Sequence, residues 1–100
     1  MAAATVERDG DTLRVRGELD FDSVPDVWEM TEPLLAAESI QRVDLSGVRR
    51  ANSAGVALLV EWLRQARSRQ RELVFVNLPA QMEAIVRTVD LDGVLPVARA

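Results

Sequence analysis

The run VDLSGVRRANSAGVALL, from Val43 to Leu59, constrains the fold more than any other part of the sequence. It begins as a buried strand, crosses a short polar loop and enters a helix whose first turn carries small side chains. Asn52 or Ser53 is the expected helix cap, because these side chains accept hydrogen bonds from the free N–H groups of a first turn. The run predicts a strand–helix unit with a hydroxyl at or beside the positive end of a helix dipole.

The length of 100 residues predicts one domain, residues 1–100, and 48% apolar residues are enough for a single core. The 12 basic residues, all Arg, and the 16 acidic ones give a net charge of −4. Arg49-Arg50 is the only basic doublet, so the sequence shows no nucleic-acid footprint. Nowhere do about 18 apolar residues run together, and the first residues do not have the pattern of a signal peptide. We therefore expect a cytoplasmic protein.

The first half of the chain predicts a hairpin and a helix. Alternating segments at 5–8 and 12–16 flank Asp9-Gly10, a strong turn signal. Ser23 and Asp26 are spaced as in a capping box, and a helix follows with Trp28 in its apolar stripe. Pro33 either kinks this helix or divides it. Residues 40–45 form the next predicted strand.

The second half continues the alternation of helix and strand. A helix is predicted from about 53 to 67, with Trp62 on the shoulder of its apolar stripe. A strand at 73–76 and a third helix with Val89 on its inward face follow, and residues 94–97 form at most a short edge strand. The order predicts an α/β fold, a mixed sheet of four to five strands with about three helices.

Catalytic chemistry has little support in the sequence. The chain has no histidine and no cysteine, and neither a phosphate-binding glycine loop nor a nucleophile elbow. Four acidic residues, Glu18, Asp20, Asp22 and Asp26, lack the spacing of a calcium loop and are interpreted as loop and capping carboxylates. We therefore expect no enzyme activity, no metal and no cofactor.

Two interpretations of Ser53 stay open. Ser53 or Asn52 is there as a cap, or the bare surroundings of Ser53 form a docking surface that a partner's backbone approaches closely. The predicted partner-binding residues are Arg50, Asn52, Ser53, Ala54 and Gly55. Arg49 either pairs with acidic groups of the partner, as Arg50 could, or belongs to a solvated loop, and the sequence leaves both interpretations open.

The chain resembles the STAS domain family, typified by bacterial anti-sigma-factor antagonists. In that family a strand similar to Val43-Asp44-Leu45-Ser46 runs into a loop of the type Asp-Ser-Ser-Gly or Asp-Thr-Gly-Gly at a helix start. Here Asn52-Ser53-Ala54-Gly55 matches that loop. The resemblance implies that Ser53 is the hydroxyl that family members can have phosphorylated. Asn52 departs from the pattern, because the family commonly has Asp there.

A narrower resemblance, within the family, is to a small STAS subunit of a Gram-negative ABC transporter. It rests on fragments that are similar in order and spacing: Gly10 to Leu13, Gly17 to Asp20, Trp28 to Met30, Val43 to Ser46 and Gly55 to Leu59. It implies a non-catalytic subunit that binds the transporter's ATPase and, through it, the permease complex. Such a transporter moves phospholipids and maintains outer-membrane lipid asymmetry. The resemblance implies a location at the inner membrane that depends on the partner.

Two other function classes stay open on the sequence. One is an anti-sigma-factor antagonist that phosphorylation of Ser53 switches off. The other is a small enzyme or ligand-binding domain, which turnover or saturable binding of a small molecule would reveal.

Overall fold

The computed structural model describes residues 3–37 and 40–98. Its elements are β1 (Ala4–Asp9), β2 (Thr12–Leu19), α1 (Val24–Ala37), β3 (Arg42–Ala51), α2 (Ser53–Ser68), β4 (Val74–Val76), α3 (Ala80–Thr88) and β5 (Val97–Ala98). The strands lie in the order β1-β2-β3-β4-β5, with β1 antiparallel to β2 and every other pair parallel. The predicted mixed sheet with three helices is confirmed for this part of the chain.

The first hairpin forms as predicted. Asp9 pairs with Thr12, so Gly10 and Asp11 make a two-residue turn. Gly10 has a φ of 62°, a conformation that glycine adopts without steric cost. Leu13 and Val15 on β2 are fully buried, whereas Arg14 and Arg16 between and after them are exposed. The alternation shows that one face of the sheet carries the core and the other is polar.

The third strand is longer than the predicted strand at 40–45, and the short polar loop expected between this strand and the next helix is reduced to a single residue. Residues 46–51 continue β3, because their backbone pairs in parallel with β2: Gly17 with Val48 and Leu19 with Ala51. The pairing satisfies N–H and C=O groups that a loop would leave to water. As a result, Asn52 alone connects β3 to α2.

Helix α1 runs through Pro33 without dividing, which excludes one of the two predicted outcomes. Proline removes the hydrogen bond to the carbonyl four residues earlier, that of Glu29. Both Glu29 and Pro33 lie on the exposed side of the helix, where water can bind the freed carbonyl. On the opposite side, Val27, Thr31 and Leu35 are buried, as the apolar spacing predicts.

The two tryptophans exchange the roles that the sequence predicts for them. Trp62, expected on the flank of the core, is 0% exposed, and its ring centroid lies 6.4 Å from that of Phe75. Trp28, expected in the core, is half-buried and lines a surface groove between α1 and α2. Helical spacing gives the angle of a side chain but not how far neighbouring helices cover it.

The end of α3 also differs from the prediction. Met82 is fully buried and Val86 nearly so, but Val89 is 52% exposed. The helix ends at Thr88, and Val89 is its C-terminal cap with a non-helical ψ of 13°. Val89 therefore leaves the inward face, and Leu95, in the segment before β5, is buried.

Candidate functional site

The amino end of α2 is capped by Asn52. The Asn52 side-chain oxygen accepts a 2.9 Å hydrogen bond from the Ala54 N–H, and its carbonyl accepts one of 3.0 Å from Gly55. Its own N–H donates to the Leu19 carbonyl at 3.1 Å, which attaches the start of α2 to the end of β2. Of the two predicted caps, Asn52 is therefore the one that the structure uses.

Ser53 is the first residue of α2 and is exposed. Its hydroxyl makes no hydrogen bond within the described parts of the chain. The structure decides between the two caps that the sequence left open, because the Asn52 side chain fills that role and the Ser53 side chain does not. The hydroxyl is therefore available to an incoming group, at the helix end where the dipole favours negative charge.

Ala54 and Gly55 are buried, which corrects the expectation that they keep an approach open for a partner. A Cβ on Gly55 would lie 3.1 Å from Leu19 Cβ and 3.4 Å from Ala51 Cβ. Position 55 is glycine because α2 packs closely there on the ends of β2 and β3. Since both residues are buried, Ala54 and Gly55 add almost no surface for a partner.

A small cleft of about 220 Å³ lies beside the cap, between Glu18, Asp20, Arg50, Asn52 and Gln81. Sequence reasoning missed Gln81, whose side-chain oxygen accepts a 2.8 Å hydrogen bond from the Ala51 N–H. No sequence signal marks this contact, because α3 reaches the end of β3 only in the folded chain. The bond holds the last residue of β3 against α3.

Asp20 organises the turn that forms one side of this cleft. Its carboxylate accepts hydrogen bonds from the Ser23 N–H at 2.9 Å and the Asp22 N–H at 3.0 Å. These bonds, the Ser23 one first, lower the pKa of Asp20 below 3.8 against the opposing effect of burial, and Arg50 adds a smaller attraction. The interpretation of Asp20 as a loop carboxylate agrees with this geometry.

Ser23 acts differently from the predicted capping box with Asp26. Its buried hydroxyl donates to the Glu18 carbonyl at 2.7 Å and accepts from the Asp20 N–H at 3.0 Å. The hydroxyl thus closes the turn between β2 and α1. It does not make the hydrogen bond to Asp26 that a capping box requires. This turn follows directly from Leu19, which pairs with Ala51, so it lies next to Asn52 and Ser53.

The arginine doublet is split between two surfaces. Arg50 lines the cleft beside Asn52, whereas Arg49 lines a separate depression with Gly17 and Gly47. Of the predicted site, the structure therefore brings Arg50, Asn52 and Ser53 together on one accessible edge.

The chemistry available at this edge is hydrogen bonding and charge attraction. The chain has no histidine or cysteine, and within residues 3–37 and 40–98 no three acidic side chains are grouped so that they could hold a metal ion. An exposed hydroxyl, a capped helix end and a guanidinium form a compact surface that suits a protein contact. None of the helices in the described segments is both long and apolar enough to span a bilayer.

The fold and the site together define a class of protein. The sheet is parallel except for its first strand and is covered by three helices, and an exposed serine begins the second helix. The chain belongs to the STAS domain family: the family model described as "Mlab, STAS domain" matches residues 3–96. A similar curated protein is the intermembrane phospholipid transport system binding protein MlaB of Escherichia coli, 33% identical over 87% of this chain and 89% of that protein.

Anti-sigma factor antagonists are also relatives. The anti-sigma-B factor antagonist of Listeria monocytogenes is 31% identical over 91% of this chain and 82% of its own length. Among solved structures, a chain of the Acinetobacter MlaFEDB complex in its ATP-bound conformation has a TM-score of 0.74 and 26% identity over 87% of this chain and 93% of that one. The antagonist SpoIIAA has a TM-score of 0.75 at 16% identity, over 98% and 88%, and shares the fold. These relatives bear the names of binding proteins and antagonists, not of enzymes.

Proposed function

We propose that this chain is the non-catalytic STAS subunit of a phospholipid-transporting ABC transporter and binds the transporter's MlaF-like ATPase subunit. The observation that carries the proposal is the 33% identity to Escherichia coli MlaB over most of both chains. The 26% identity to a chain of the Acinetobacter MlaFEDB complex supports it.

The geometry at the amino end of α2 supports a docking role. Asn52 is held by hydrogen bonds to Leu19 and Ala54, and Ala51 is held by Gln81. Because these contacts fix the backbone, Ser53 and Arg50 can contact a partner with little ordering cost. A rigid surface of this kind stabilises whichever partner conformation it fits.

The subunit would act on the ATPase by population shift. A protein without catalytic groups changes the activity of its partner by binding one conformation more tightly than another. In this proposal the ATPase brings the subunit to the inner membrane and links it to the permease complex. The chain's contribution is assembly and regulation of the transporter for lipid asymmetry.

The test compares the same substitution at two exposed serines. Ser53→Glu adds bulk and charge at the proposed contact, whereas Ser46→Glu adds them in β3, on the polar face of the sheet. We expect Ser53→Glu to weaken binding to the purified ATPase subunit by about 2 kcal/mol, a hot-spot magnitude, and Ser46→Glu to leave it unchanged.

Melting temperatures of both variants show whether the fold persists. Assembly and ATP turnover of the transporter, with and without this chain at equal ATPase concentration, complete the test. Wild-type chain that neither binds the ATPase nor changes assembly or turnover would contradict the proposal.

A second candidate function is an anti-sigma-factor antagonist switched by phosphorylation of Ser53. The Listeria relative favours it, as does the exposure of Ser53 at a helix start, where a phosphate is electrostatically favoured. Asn52 in place of the family's usual Asp removes a carboxylate beside that hydroxyl. Purifying the chain from its native membrane and identifying its partners by mass distinguishes the two: an ATPase and permease, or an anti-sigma factor and kinase.

A further inference from the structure

We propose that the groove between α1 and α2 binds an amphipathic helix of the ATPase subunit whose acidic end lies over the carboxyl end of α2. This inference rests on the proposed function and extends its contact beyond Ser53.

The groove has an apolar half close to the docking site. Its walls are Val24, Pro25 and Trp28 of α1 and Ala57 and Leu58 of α2, around a volume of about 380 Å³. Ala57 lies one helical turn beyond Ser53, on the same side of α2, because side chains four residues apart are neighbours on a helix. An apolar surface of this shape suits the apolar face of a helix.

The turn that leads into α1 carries another exposed apolar side chain. Phe21 is 71% exposed and lies in the turn between β2 and α1, three residues before Val24. That turn follows Leu19, which pairs with Ala51 in the sheet, so it is adjacent to the start of α2. A large aromatic side chain with this exposure is typical of a binding surface.

The other half of the groove is basic. It shares Trp28 and Glu61 with the apolar half and continues past Arg64, Gln65 and Arg67 in a volume of about 470 Å³. Glu61 pairs with Arg64 at 2.8 Å, which leaves Arg67 without an ion pair among the described residues. In a chain of net charge −4, this end therefore presents positive charge to an occupant.

One polar atom in the wall of the groove, the side-chain oxygen of Gln65, has an unused capacity to accept a hydrogen bond. The Gln65 side-chain oxygen is buried and has no hydrogen-bond partner in the described part of the chain. Its amide nitrogen makes only a long bond, 3.5 Å, to the Glu32 carbonyl. An unpaired buried carbonyl is costly, so the Gln65 amide gains a hydrogen bond if it turns outward to meet a donor on a docked helix.

The length of the groove matches a helix. From Ala57 to Ser68 the α2 axis rises about 16 Å, which is about three helical turns. The occupant is therefore a short helix with apolar residues spaced i, i+4 and i+7 near the Ser53 end. Acidic residues lie at its other end, opposite Arg67.

The experiment measures binding of the purified ATPase subunit to pairs of matched variants. Ala57→Glu fills the groove, and Ala84→Glu makes the same change at an exposed position within α3. Arg67→Glu reverses the charge in the last turn of α2, and Arg87→Glu does so in the last turn of α3. The α3 variants match the helix position of the groove variants but lie outside the groove.

We expect Ala57→Glu to weaken binding about tenfold or more, as at a buried contact. Arg67→Glu should weaken it about fivefold at low salt and less at high salt, as expected for a charge at a rim. Ala84→Glu and Arg87→Glu should bind like wild type. A photo-crosslinker at position 57 should attach to an ATPase helix with acidic residues at one end.

The outcomes separate this inference from the proposed function. If Ser53→Glu weakens binding but Ala57→Glu does not, the groove inference is overturned and the proposed function stands. Crosslinks to a second copy of this chain, with a dimer in sedimentation that Ala57→Glu abolishes, would also overturn it. Wild-type chain that fails to bind the ATPase overturns both.

Discussion

The indole N–H of Trp62 donates a 2.8 Å hydrogen bond to the hydroxyl of Thr31, and both side chains are fully buried. Thr31 in turn donates to the Val27 carbonyl at 2.8 Å, four residues earlier in α1. This chain of two bonds joins α2 to α1 inside an otherwise apolar core. It explains why Trp62 can be completely buried, since its only donor has a partner.

Thr31→Val should lower the free energy of unfolding by about 1–3 kcal/mol, because it leaves the Trp62 N–H buried without an acceptor. Thr31→Ser keeps the hydroxyl and should cost less. Thr88 makes the same bond to a carbonyl four residues earlier but is exposed, so Thr88→Val is the control. Denaturant titration by circular dichroism measures all three, and equal losses for Thr31→Val and Thr88→Val would contradict the prediction.

Asn52→Ala should destabilise the fold by about 1 kcal/mol, because it removes the acceptor for the Ala54 N–H. Ser53→Ala should change stability by less than about 0.5 kcal/mol, since the Ser53 hydroxyl makes no such bond. The two adjacent substitutions serve as controls for each other in one thermal or denaturant series. A larger loss for Ser53→Ala would reassign the cap to Ser53.

Gly55→Val should destabilise the protein by about 1–3 kcal/mol, because the added atoms have no room between α2 and the residues Leu19 and Ala51. Gly93 is the matched control, since a Cβ there meets nothing within 4 Å. Gly93→Val should therefore melt close to wild type. A normal melting temperature for Gly55→Val would show that α2 can shift away from the sheet.

Acid should destabilise the native protein partly through Asp20. The Ser23 and Asp22 N–H bonds hold the folded-state pKa of Asp20 below 3.8, so the unfolded chain binds this proton first as the pH falls. The stabilisation is complete above the unfolded value and is lost as the pH falls through the folded value.

Asp20→Asn should therefore reduce the loss of melting temperature between pH 7 and about pH 3, and should lower the melting temperature at pH 7. Asp92→Asn, in an exposed turn, is the control and should follow the wild-type profile. The same acid profile for wild type and Asp20→Asn would show that these hydrogen bonds do not favour the charged form.

Local sequence signals predicted the parts of the fold that depend on near neighbours. Asp9-Gly10 predicted the hairpin because its turn depends on backbone conformations within four residues. The period of 3.6 predicted α2 to within one residue at its carboxyl end, and it predicted the burial of Val56, Leu59 and Leu63. The predicted partner site also began from a local signal, a polar cap followed by small residues.

The length of β3, the need for glycine at position 55 and the position of Gln81 depended on contacts between distant parts of the chain. Residues 46–51 became a strand because β2 supplies the hydrogen-bonding partners, and a polar sequence such as Arg49-Arg50 gives no local sign of them. Position 55 is glycine because a larger side chain would collide with Leu19, and not because a partner approaches it. Gln81 joins the site from another helix.

The roles of the two tryptophans show the same division. The sequence by itself determined that Trp28 and Trp62 lie on or near apolar helix faces, since the angular position of a side chain follows from helical geometry. Only the tertiary structure decided that α1 and the sheet enclose Trp62, while Trp28 lines an open groove. The physical reason is that burial depends on the distance and packing of neighbouring elements, which periodicity along one helix does not contain.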